Sequence, residues 1–258
     1  MVYQLIFKNP LASPDIIGVS SGASAGAASA ILFFHASAAG ITAFAFAGGL
    51  AAVFLSLGLS FLSDRRSIST MVLSGIAVSA LAQALLMTLK FTADPERELA
   101  SIEYWIMGSL GSVTAKSLPL PVVITALGVT VLAVFFRQIL MLSLDEDEAQ
   151  SLGVPVALLR LLALTAATLI VAAIVSVTGL ISFTGLLAPH TARLLTKDSR
   201  VPAFFLSGIL GGALLLASDI IARSAASGEM PVSILTSALG APFLLWLIFK
   251  GGSKWTSS

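Results

Sequence analysis

Asp, Glu, Lys and Arg are absent from six runs of this chain, residues 16–63, 67–89, 117–136, 161–192, 201–218 and 230–249, each at least 18 residues long. A helix needs about 20 mostly apolar residues to cross a hydrocarbon core roughly 30 Å thick, so every run has the length of a crossing. The first run, 48 residues, holds two crossings with a turn near residues 36–40, and the fourth divides at Gly179-Leu180-Ile181-Ser182. The pattern therefore predicts eight crossings. Stretches such as Leu158-Leu159-Arg160-Leu161-Leu162-Ala163-Leu164 are apolar around the whole circumference, unlike the alternating strands of outer-membrane barrels, so the spans are expected to be helices.

Composition narrows the class. Of 258 residues, 57% are hydrophobic and 10% charged, with a mean hydropathy of +1.01, where a soluble domain carries about 25% charged residues. A soluble globular enzyme is excluded. The chain has no cysteine, which removes disulfides and thiolate metal sites. The formal net charge of +1 gives no signal for nucleic acid, and no nucleic-acid partner is expected. Residues 1–14 lack a basic stretch followed by an apolar core, so no cleavable signal is expected. The expectation is one all-α, polytopic domain over residues 1–258, with the lipid bilayer as its solvent.

Eight crossings put both termini on one side. On that face lie Lys8, Arg65, Arg66, Arg137, Arg160, Arg193, Lys197, Arg200, Lys250 and Lys254, against Lys90, Arg97, Lys116 and Arg223 on the other. Cytoplasmic loops carry the basic excess, so both termini are predicted to be cytoplasmic.

Between the crossings, the outer loop 92–114 contains Asp94-Pro95-Glu96-Arg97-Glu98, which suits the start of a short surface helix with Asp94 as cap and Pro95 in the first turn. It reads either as an interfacial anchor or as a lid over a central pathway. The inner loop, residues 143–156, carries Asp145, Glu146, Asp147 and Glu148 in succession. These suit the positive end of a short helix, which Gly153 can terminate before Pro155 begins the next. Such a run is a solvated loop, or it complements a basic partner.

Other features leave two readings each. Gly18, Gly22 and Gly26, and again Gly208 and Gly212, have the Gly-x-x-x-Gly spacing of close helix contacts, a spacing that also arises by chance in a Gly- and Ala-rich chain. His190, after Pro189 and a turn before Arg193, reads as a packed or capping residue near the inner interface. Asp219 and Arg223, at i, i+4 spacing with Glu229 to follow, form a local ion-pair cluster or dock an external partner.

No phosphate-binding loop, His-Glu-x-x-His or Gly-x-Ser-x-Gly motif occurs. No catalytic, cofactor-binding or metal-ligating residue is assigned, and any ATP hydrolysis must come from another subunit. The spans also lack the buried acids of an ion-coupled carrier, holding mainly Ser, Thr, Gly and Gln83.

Five motifs in order carry a resemblance across the chain: Asn9-Pro10-Leu11-Ala12-Ser13-Pro14 with Gly18 and Gly22; Trp105-Ile106-Met107-Gly108-Ser109-Leu110; Ser151-Leu152-Gly153-Val154-Pro155; Gly179-Leu180-Ile181-Ser182-Phe183-Thr184-Gly185 with Pro189-His190-Thr191-Ala192-Arg193; and Glu229-Met230-Pro231 with Gly240-Ala241-Pro242-Phe243. The sequence resembles the FecCD-type permeases of binding-protein-dependent ABC importers for iron-siderophores, haem and vitamin B12. The resemblance implies a permease in the cytoplasmic (inner) membrane of a bacterium or archaeon. It implies a homodimer or a pair with a paralogous permease, two ABC ATPase subunits, and a periplasmic or lipid-anchored substrate-binding protein. It makes Asp145, Glu146, Asp147, Glu148, Ser151, Leu152, Gly153, Val154 and Pro155 the ATPase-coupling loop. Arg223 becomes the docking residue for the binding protein, and Ser69, Thr70, Met71, Ser74 and Gly75 the translocation pathway and inner gate. Family members have ten crossings, with the Asn-Pro-Leu-Ala motif after the second; here it stands at Asn9, so the chain is expected to match the last eight. An ion-coupled secondary transporter and a non-transporting membrane scaffold are the rival readings.

Overall fold

The computed structural model describes residues 1–63, 67–111, 113–197, 200–225 and 230–251; Arg65, Arg66, Glu229 and Lys254 lie outside them. The described residues are helical with no strand. In chain order the helices are α1 Val2–Ile6, α2 Val19–Phe34, α3 Ala38–Leu62, α4 Ile68–Thr92, α5 Glu98–Met107, α6 Pro119–Val134, α7 Phe136–Met141, α8 Glu146–Ser151, α9 Val156–Thr178, α10 Thr184–Thr196, α11 Arg200–Ala225 and α12 Val232–Gly251, with a 3-10 turn at Pro14–Ile17.

Helices occupy all eight segments singled out by the charge-free runs, and α3, α4, α9 and α11 are long and apolar enough to cross a membrane. The others are shorter. At 1.5 Å per residue, the 16 residues of α2 and of α6 make about 24 Å and the 13 of α10 about 20 Å. The two breaks inside the long runs have local causes. His35 leaves α2 in the left-handed conformation, and Ser37 accepts the Gly40 N–H to start α3. At the second break α9 ends at Gly179, and α10 starts after Phe183, whose φ of +65° is unusual for an aromatic residue. The last helix, α12, continues through Pro242.

The chain forms two compact units. One comprises residues 1–106 and 112–180, the other residues 107–111 and 181–258. In the first, α2 is central, with Ala23, Ala25, Ala27, Ala28 and Ala30 buried. Its small residues admit backbone: a Cβ on Gly22 would collide with the Gly48 carbonyl of α3, and one on Gly26 with the Phe44 carbonyl. Helix α5 is seated through Ile102, 1% exposed, on Ala28, Ile31, Leu86, Leu89 and Ala93. Asp94 Oδ1 accepts the Glu96 and Arg97 N–H groups, Glu98 accepts the Asp94 N–H, and Lys90 pairs with Glu103 at 2.8 Å. The outer segment is thus fastened to the ends of α2 and α4.

In the second unit α10 packs on α11, where Gly211 faces Ala188. The neighbouring Gly208 and Gly212 face open space, so their spacing marks no helix contact among the described residues. The Phe183 ring lies where a Cβ on Gly240 would stand. The Gly108 carbonyl accepts the Val232 N–H at 3.1 Å, joining the Trp105–Leu110 motif to the start of α12.

Candidate functional site

The inner loop folds as its residues dictate. Asp145 stands at the N-cap position of α8 without a side-chain bond to the helix, and the first turn carries Glu146, Asp147 and Glu148, where acids complement the exposed N–H groups. Gly153, at φ +80°, turns the chain in the left-handed region, with its N–H bonded to Gln150 O and that of Val154 to Ala149 O. Pro155 then begins α9. Ala149 and Val154 are buried and anchor the segment, while Glu148, Ser151 and Leu152 are exposed, Leu152 at 60%.

The four acids are not equivalent. Asp145 Oδ1 lies 3.3 Å from Lys8 Nζ, and Glu146 Oε2 3.5 Å from Arg160 Nη2. Asp147 and Glu148 are exposed and have no ion-pair partner among the described residues. Lys8 and Arg160 are site residues that the sequence patterns did not single out. The one available signal was Arg160, a lone cation inside an apolar stretch.

At the far end of α11, Arg223 Nε donates to Asp219 Oδ2 at 2.9 Å. The guanidinium is 59% exposed and its carboxylate partner only 19%. The local ion pair of the cluster is present, and the Arg223 side chain stays largely exposed beside it.

At the start of α4, Ser67 Oγ accepts the Thr70 N–H and lies 3.0 Å from Thr70 Oγ1. Ser69 is exposed, and Thr70, Met71 and Ser74 are half-buried. Gly75 differs from the other four. It is buried, and a Cβ there would collide with the Ile16 carbonyl, so it serves the contact between α4 and the 3-10 turn. Ser79 and Gln83 continue that line, bonding Asp15 O and Ser21. His190 donates from Nδ1 to Leu186 O at 2.9 Å, a bond within its own helix. No group of three or more His, Asp or Glu suited to a metal exists among the described residues.

A family profile described as the FecCD transport family matches residues 1–250. This chain belongs to that family. Among its relatives, the cobalamin import system permease protein BtuC of Halobacterium salinarum is 36% identical over 247 residues, covering 96% of this chain and 66% of that protein. The molybdate import system permease protein MolB of Haemophilus influenzae is 36% identical over 254 residues, covering 97% and 74%. A solved structure described as a metal-chelate type ABC transporter in an inward-facing conformation superposes with a TM-score of 0.88 at 36% identity, covering 96% of this chain and 79% of that one. The chain thus spans slightly less than two thirds of the halobacterial relative's length. Family membership and the apolar helices together make it a multi-pass membrane protein.

Proposed function

We propose that this chain is the membrane-spanning permease subunit of an ABC importer in a bacterial or archaeal cytoplasmic membrane. All eight long helices cross the bilayer, and both termini are cytoplasmic. The relatives named for cobalamin and molybdate, and the metal-chelate neighbour, support a compact metal-containing cargo. We take it to be an iron-siderophore, haem, cobalamin or a similar chelate. The chain pairs with a second permease, a copy of itself or a paralogue, around a central pathway. Ser69, Thr70, Met71 and Ser74 border that pathway near its inner end, and Gly75 sets the packing of their helix.

The observation that carries the reading is α8. It presents Asp147, Glu148 and Leu152 together on an exposed, anchored turn, which suits a basic groove with an apolar floor on an ATPase subunit. ATP-driven closure of two such subunits would displace the 145–155 loops and re-angle the helices around the pathway. On the other face, Arg223 meets acidic side chains of the binding protein.

The test is purification of the chain from its native host in mild detergent, with identification of any ATPase that accompanies it. An ATPase should co-purify with the wild-type chain and be lost on combining Asp147→Lys with Glu148→Lys. Failure of any ATPase to accompany the folded wild-type chain would overturn the importer reading.

A further inference from the structure

The four acids of the inner loop divide into two that point outward and two tied to the chain itself, and the tied pair defines a second function for this segment. We propose that Arg160 is the positioning residue that makes α8 move as one body with α9, with Lys8 and α1 closing the linkage from the other side. The proposal rests on the permease reading above and assigns how displacement of the loop reaches a long helix.

Arg160 lies in the second turn of α9 with only 10% of its side chain exposed. A buried guanidinium without a partner is strongly destabilising. Glu146 Oε2 pairs with its Nη2 at 3.5 Å, while its Nε has no hydrogen-bond partner among the described residues. Glu146 is half exposed and opens α8. The bond thus runs from a packed anchor to a surface helix of only six residues.

A single tie would let so short a helix swivel. The neighbouring residue prevents this: Asp145 is held by Lys8, which leaves α1 in the left-handed conformation at φ +48°. Helix α1 is buried along its length and is itself fixed to α9, where Tyr3 Oη lies 3.0 Å from Thr168 Oγ1. Thr168 is eight residues beyond Arg160, about 12 Å along the helix axis. The polar contacts close a circuit from α8 through Arg160 to α9, through Thr168 and Tyr3 to α1, and through Lys8 back to α8. Two adjacent residues tied to two different elements fix orientation as well as position. Arg160 carries more of the linkage than Lys8, since the Lys8–Asp145 pair is exposed and screened by solvent.

The chain has no cysteine, so with a cysteine-free ATPase, and with labelled chain diluted into unlabelled chain so that pairs within one copy dominate, spin labels at Gln150→Cys and Leu158→Cys report the α8–α9 distance. Both positions are exposed. The measurement uses the detergent-purified complex with its ATPase, with and without trapping by ATP and vanadate. With Arg160 and Glu146 in place, one narrow distance distribution is expected, unchanged by trapping. Glu146→Gln should broaden it about twofold and make it shift on trapping, because the buried guanidinium then lacks its partner. Combining Arg160→Met with Glu146→Gln should do the same without leaving a buried charge, so a folding defect does not obscure the result. An unchanged narrow distribution in the double variant would overturn the proposal even with the ATPase bound. Loss of the ATPase from the wild-type chain would instead count against the permease reading. Thermal stability measured alongside separates the linkage from bulk packing, which would lower the melting temperature without moving the distance.

Discussion

The closest approach of α2 and α3 is made by residues without side chains, so its strength depends on what cannot be added there. Gly48→Val would drive a branched side chain into the backbone at Gly22 and Gly26. It should destabilise the chain by about 1–3 kcal/mol or more, as overpacked sites do. Gly58→Ala, in the same helix but facing open space, should be neutral or slightly stabilising. Thermal unfolding of both variants in one detergent checks the contrast. The same spacing at Gly208 and Gly212 meets nothing among the described residues, which shows what a motif of small residues conveys. It marks a face free of bulk, and the residues opposite decide whether a backbone comes near. Arg223 raises a similar point about partners. Its spacing from Asp219 was legible, but not which atom makes the bond: Nε is held, and the side chain remains 59% exposed. Arg223→Glu should slow association with the binding protein roughly tenfold at low salt, with less effect at high salt. Asp219→Asn should weaken binding less, because the cation remains. Surface-bound binding protein titrated with the solubilised permease would read both.

At the scale of elements, the termini of helices were the most readable features. Ser67, Asp94, Gly153 and Pro155 each satisfy or spare a backbone group at a helix end, and each does so through its own local chemistry. Ser67→Ala removes the acceptor for the Thr70 N–H at the start of α4. It should cost about 1 kcal/mol of local stability, visible as faster amide exchange in residues 68–71 while the rest of α4 is unchanged. Less legible was everything set by distant partners. The run at 145–148 has one sign and one apparent purpose in the sequence, yet Lys8, 137 residues from Asp145, and Arg160 pair with two of its members. No periodicity records such a pairing. Helix α1 is unreadable for the same reason: five residues are too few to show a pattern, and they are buried against α9 and α7. Pro242 shows the limit of a local signal: a helix breaker by residue type, it lies inside α12, which continues past it with Gly240 against the Phe183 ring.

For the whole molecule, the decisive question is whether the shorter helices cross. Four helices have the length and hydropathy to do so unaided. Helix α6 has 16 residues, about 24 Å, against a core of roughly 30 Å. Its run of apolar residues does not stop at Val134: after the turn at Phe135, α7 continues to Met141, with Arg137 as its cation. A short span is accommodated by local thinning or by snorkelling of flanking charges, at a modest cost per ångström. Lys116 before α6 and Arg137 after it are placed to do this. The proposed eight-crossing topology places Lys116 outside and Arg137 inside, with α6 crossing between the α5 loop and α8. Single cysteines at Glu96 and Glu148 test it directly, since the chain supplies no competing thiol. In right-side-out vesicles a membrane-impermeant maleimide should label Glu96→Cys at once and Glu148→Cys only after lysis. Labelling of both from one side would mean that α6 does not span. The eight-crossing topology would then fail together with the proposed cytoplasmic position of α8, whereas α3, α4, α9 and α11 would keep the lengths that let them cross.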